Sequence, residues 1–318
     1  MSASSFQSRL GPDLERFLTF KRALGFSYFR CEYTLKSFDR HVARHAPPKG
    51  PLPLERLLRG WLARTEGHRK AVTVAMELAP VREFFRFRRR ADPAGFLPGR
   101  EWAPQRAEAH FVPRILTLTE VRTIIAAAGS LPGPSLRRQT FRALVLTLYC
   151  TGLRLGEAAR LRLDDVDLER RSFLVRESKG KTRVVPFGAD LARELVRYRQ
   201  VRSHVANADT SFFVRPDGRS CTTKLVSDTL RRLFRRLGLK PPRGRVGLRP
   251  FDFRHAFAVH RLTRWYRAGV DLHARLPWLS AYMGHDDLLS TETYLTTTPE
   301  LMQAASRRFA ARLRGRRR

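Results

Sequence analysis

The sequence predicts a mainly α-helical chain with a small antiparallel β-element, an α+β arrangement in two domains. Three observations carry this: apolar residues recur at helical spacing along most of the 318 residues, only two short β-rich runs interrupt them, and Pro/Gly clusters punctuate the pattern. From about residue 5 to 90, Leu10, Leu14, Phe17 and Leu18 follow an i, i+4, i+7, i+8 stripe, and Leu35, Phe38 and Val42 continue it in a second segment. HAPPKGPLP at 45–53 reads as a loop and DPAGFLPG at 92–99 as an inter-domain boundary, which puts the domains at 1–105 and 106–318. Between them, 81–90 interleaves aromatics with arginines along one helix.

The second domain opens with a helix for which Thr119 is a plausible N-cap and Val121, Ile124, Ile125 and Ala128 form the inner stripe. A buried helix follows over 138–149, from the spacing of Phe141, Leu144, Val145 and Leu148. Ser172–Arg176 and Thr182–Phe187 read as a β-hairpin whose polar, Gly-containing tip carries Lys179 and Lys181. The segment 222–237 is a heavily cationic helix with Leu225, Leu230, Leu233 and Leu237 inside. Leu301, Ala305 and Phe309 place a last helix before RRFAARLRGRRR at 307–318, a basic tail.

Composition limits the function. Sixty-two Lys+Arg against 29 Asp+Glu give a formal charge of +33, which favours polyanions as partners. With 42% hydrophobic residues and 21 Phe, the chain is too apolar for a disordered basic tail. Cys31, Cys150 and Cys221 are scattered and form no CxxC pair, which argues against a disulfide framework or a thiolate zinc site. No HExxH, DxDxDG or P-loop motif occurs, so no metal and no cofactor are expected. No apolar run approaches the ~18–20 residues of a membrane span, and the start lacks the apolar core of a signal peptide; a soluble, cytoplasmic, nucleoid-associated protein is expected.

TGLRLGEAARL at 151–161, ESKGKTRVVPF at 177–187, PFDFRHAFAVH at 250–260, MGH at 283–285 and STETYL at 290–295 together resemble the tyrosine recombinases, or phage integrase family. The resemblance spans about residues 5–310, and the two ends look most like transposon- or integron-type members, the recombinase-in-trio group among them. It implies an N-terminal helical, SAM-like core-binding domain followed by a catalytic domain, acting on double-stranded DNA as a homo- or hetero-tetramer with related recombinases. It also implies a catalytic set of Arg154, Lys179, Arg254, His285 and Tyr294, supported by Glu157. Lys181, two residues from Lys179, competes for the lysine role.

These residue types suit metal-free DNA cleavage, a type IB topoisomerase-like chemistry. Two planar, permanently charged guanidinium forks match the spread charge of a phosphoryl transition state. The resemblance implies that Lys179 protonates the departing 5′ oxygen, His285 hydrogen-bonds the phosphate and Glu157 orients Arg154 or Lys179. Tyr294 is then the nucleophile, and its phenol, with an ordinary pKa near ~10, needs help to ionise.

One position departs from the family. Three residues before Arg254, where most members carry a histidine, stands Phe251, which cannot move a proton. His255 projects about 100° around the helix from Arg254 and is not taken as its replacement. A slow or partner-dependent enzyme is expected, since a missing base typically costs ~10²–10⁴-fold. The rival reading is a catalytically weak DNA-binding accessory protein.

Overall fold

The computed structural model describes residues 6–64, 69–102, 114–178, 181–205, 209–244 and 246–285, with 287, 291, 292 and 294. Lys179 and the tail from residue 295, with its expected last helix, lie outside the described residues. The chain divides into two compact units, Met1–His110 and Phe111–Arg318.

The first unit is built from α1 (Gly11–Ala23), α2 (Phe29–His45), α3 (Leu54–Ala63) and α4 (Ala71–Arg88). The apolar stripes meet in one aromatic core of Phe17, Phe38, Trp61, Phe84 and Phe85, where Phe38 lies edge-on to Trp61 at 5.4 Å. The Pro/Gly stretch at 92–99 folds back onto this core. Phe96 packs edge-on to Phe85 at 5.1 Å, and Arg82 Nε donates to the Pro98 carbonyl at 2.8 Å. Its two apolar residues, Phe96 and Leu97, outweigh the turn formers around them.

The second unit begins with α5 (Leu118–Gly129) and the long buried α6 (Ser135–Thr151). The cap of α5 is Thr117 rather than Thr119, because Glu120 completes a reciprocal capping box with it. A short α7 (Leu155–Ala159) leads to β1 (Val166–Asp167), β2 (Ser172–Ser178) and β3 (Lys181–Pro186), which form an antiparallel sheet in that order. Phe173 pairs with Val185 and Val175 with Arg183, and the register shifts between Val175 and Ser178, beside the hairpin tip. Strand alternation turns Phe173, Val175 and Val185 inward, and with them Arg183.

Four more helices follow, α8 (Ala189–Arg202), α9 (Thr223–Arg236), α10 (Asp252–Arg267) and α11 (Leu272–Met283); α8 and α10 pack on α6, α9 on α5 and α7, and α11 on β3. The cationic helix expected over 222–237 is α9, capped by the Thr222 hydroxyl. The main core joins α5, α6, α8, α9 and the sheet, while Phe257, Val259, Leu262, Leu276, Leu279 and Met283 form a smaller cluster that holds the Tyr294 ring. No described helix is long and apolar enough to cross a membrane.

Candidate active site

Two left-handed glycines prepare the site. Gly152 ends α6 at φ 62° and Gly284 ends α11 at φ 66°, a conformation that a side chain strains. Each turn presents a carbonyl to an arginine: Gly152 O accepts from Arg254 Nη1 at 2.7 Å, and Gly284 O from Arg154 Nη2 at 2.8 Å. Space forbids substitution as firmly as backbone does, since a Cβ on Gly152 would lie 2.5 Å from the Phe257 ring and one on Gly284 2.7 Å from the Arg183 guanidinium.

Arg154 caps α7, and Glu157 in the first turn accepts from its backbone N–H and from its guanidinium, both at 2.8 Å. The Glu157 side chain is 1% exposed and takes a second cation, Arg183 of β3, whose Nη2 lies 2.9 Å from its other oxygen. Arg183 also donates from Nε to the Tyr282 carbonyl at 2.9 Å, which ties β3 to the end of α11. Arg254, from the first turn of α10, is 1% exposed and donates from Nη2 to the Met283 carbonyl at 2.7 Å. Burial, then the nearby Arg154, pushes its pKa down to about 10, so it stays charged at neutral pH. Asp252 fixes the start of α10 by accepting from Arg249 N at 2.7 Å.

Tyr294 is 4% exposed. Burial raises its phenol pKa, while Arg254 and Arg154 pull it back down. His285 leaves α11 past Gly284, its ring stacked near the Tyr294 ring at 6.4 Å, and its Nδ1 lies 2.6 Å from the Thr291 hydroxyl. Arg154, Glu157, Arg254, His285 and Tyr294 thus converge. Lys179 lies outside the described residues; of Lys181 the backbone is placed, opposite Ser178 at the hairpin tip.

Two residues that the sequence reading left out belong here. Arg183 was legible as the one charged member of an inward run with Val185 and Phe187. His255 does project away from Arg254, as the sequence predicts, and that direction leads to Tyr294, with Nδ1 3.1 Å from the Tyr294 hydroxyl. The face of α10 that carries His255 continues through Val259 and Leu262, the residues that pack around Tyr294, and this i, i+4, i+7 stripe was the available signal. Burial pushes the His255 pKa down to about 4, so its ring is neutral at neutral pH. Phe251 is 43% exposed and packs edge-on to the His255 ring at 4.9 Å.

Residues 114–300, which span this entire arrangement, match the phage integrase family. The chain belongs to that family. A relative with the full reach of the chain is the integrase/recombinase-type protein y4rB of Sinorhizobium fredii, 33% identical over 313 residues, covering 94% of this chain and 96% of the relative. The tyrosine recombinase XerA of Thermococcus kodakarensis is 30% identical over 279 residues, 87% of this chain and 89% of its own. The fold is shared with the Tn1549 transposon integrase in complex with transposon right end DNA, at a TM-score of 0.62 and 17% identity over 94% of this chain and 99% of that one. As a tyrosine recombinase, the chain is a tyrosine-type strand-transfer enzyme of mainly helical fold with one small sheet.

Proposed function

We propose that this chain is a site-specific recombinase that cuts and rejoins duplex DNA through a 3′-phosphotyrosine bond on Tyr294, with integration or excision of a mobile element as the outcome. The observation that carries the reading is the convergence of Arg154, Arg254 and His285 around the buried Tyr294, within the span that matches the family. Among the described residues, Arg154, Arg183 and Arg254 gather around the Glu157 carboxylate and leave positive charge in excess where a phosphate would sit.

In this reading Arg154 and Arg254 hold the non-bridging oxygens, His285 hydrogen-bonds one of them, and Glu157 orients Arg154. Lys179, with Lys181 as the alternative on the same hairpin, protonates the leaving 5′ oxygen. The phosphotyrosine conserves the energy of the broken phosphodiester, so rejoining needs no nucleotide cofactor. The net charge of +33 supports binding to DNA phosphates with a steep salt dependence. The working unit is a homo- or hetero-tetramer with related recombinases, on nucleoid DNA.

Nicked duplexes drawn from the DNA flanking its gene trap the cleaved intermediate, because the short strand beyond the nick diffuses away. Denaturing gels then report a covalent protein–DNA adduct for the wild type and none for Tyr294→Phe. Sequence-specific binding with no adduct from either would instead establish the accessory protein.

A further inference from the structure

We propose that His255 takes the proton from the Tyr294 hydroxyl during cleavage and returns it during rejoining, the task that Phe251 cannot perform. The inference rests on Tyr294 being the nucleophile. It is carried by geometry: α10 is buried along its whole first half, so the directions of both Arg254 and His255 lead inward. Arg254 reaches two helix-end carbonyls, and His255 Nδ1 reaches the reacting oxygen at 3.1 Å. That distance is a hydrogen bond already formed along the path the proton would travel.

Phe251 has a part in this arrangement. It sits one helical turn before His255, and its ring packs edge-on to the imidazole at 4.9 Å. Burial keeps the His255 ring neutral, and Nδ1 accepts from the Tyr294 hydroxyl when Nε2 carries the hydrogen. The charged groups that act on it are Asp252, which favours protonation, and Arg249 and Arg254, which oppose it. A DNA phosphate arriving at Arg154 and Arg254 adds negative charge and offsets those two arginines, raising the proton affinity of His255 at the step that uses it.

The step balances. The Tyr294 O–H bond breaks and its proton passes to His255 Nδ1, the phenolate oxygen forms a bond to phosphorus, and the P–O5′ bond breaks. The 5′ oxygen leaves with a proton from the hairpin lysine. On rejoining, the 5′ hydroxyl attacks phosphorus, gives its proton back to that lysine, and the departing tyrosine oxygen recovers its own from His255.

The test is single-turnover adduct formation on the nicked duplex, as a function of pH, for the wild type, His255→Asn and Tyr294→Phe. Asparagine keeps a hydrogen-bonding atom near the Nδ1 position but cannot hold the proton. His255→Asn is expected to bind DNA like the wild type and to cleave about 10²–10⁴-fold more slowly. Its residual rate should climb about tenfold per pH unit from 7 to 9, as hydroxide replaces the imidazole, while the wild-type rate stays level. A substrate with sulfur in place of the bridging 5′ oxygen, whose leaving group needs no proton, should restore Lys179→Ala and leave His255→Asn slow. Cleavage by His255→Asn within about threefold of the wild type, or its rescue by the sulfur substrate, overturns the proposal. If the variant does not fold, the wild type decides alone, because a rate that climbs tenfold per unit over the same range would mean that no side-chain base takes the proton. An adduct persisting in Tyr294→Phe would overturn the nucleophile assignment itself, a result separate from a silent His255.

Discussion

Each unit buries a carboxylate, and the contrast between the two separates architecture from chemistry. Asp39 in the first unit is 1% exposed and, among the described residues, accepts from uncharged donors: Gln7 N at 2.6 Å, Ser8 N at 3.1 Å and the Ser8 hydroxyl at 2.5 Å. Its effect is to fasten the segment before α1 onto α2. Glu157 in the second unit is as deeply buried but faces two guanidiniums, from Arg154 and Arg183. A buried charge satisfied by neutral N–H groups makes a lock, whereas one that holds two cations in place assembles an anion site.

Removing each carboxylate should break that contrast in a different way. Glu157→Ala leaves Arg154 and Arg183 confined with no counter-charge, so a loss of about 3–5 kcal/mol in urea unfolding is expected, together with a large fall in adduct formation. Glu157→Gln should lose less stability yet still lose activity. For Asp39→Ala the expected loss is about 1–3 kcal/mol, the cost of unsatisfied backbone donors, with the adduct rate unchanged at a temperature where the chain is folded. Equal loss of adduct from both variants would show that the two carboxylates do not divide in this way. The smallest effect belongs to Thr117→Ala, which removes the α5 cap within the catalytic unit itself. About 1 kcal/mol of stability should be lost with no change in the adduct rate, showing that membership of the second unit is not enough to matter for chemistry.

Much of this was readable along the chain. Helical stripes gave the inner faces of α1 and α2 and placed α6 and α9 to within a few residues, because each buries one apolar face and the spacing of that face is local information. The residues at Arg154, Glu157, Arg254, His285 and Tyr294 were legible through their order. The two-residue strand β1 was not, being too short for an alternation to register. The Pro/Gly stretch at 92–99 gave no sign of the packing of Phe96, because turn formers describe the backbone and say little about where a side chain will pack. His255 was set aside for a related reason: a helical wheel gives the direction of a side chain and leaves open what lies there.

By itself, then, the sequence determined the fold class, the cationic character and the ordered motifs that carry Arg154, Arg254 and Tyr294, since periodicity, charge and motif order are properties of the chain. The tertiary structure alone decided that Glu157 is shared with Arg183, 26 residues away, and that Tyr294 meets His255, 39 residues away. Contacts at such separations arise only when helices and strands pack, and no local pattern encodes which buried face will meet which. The replacement of a histidine by Phe251 therefore reads as a loss along the chain, while in the folded protein that same ring packs edge-on to the imidazole beside the Tyr294 hydroxyl.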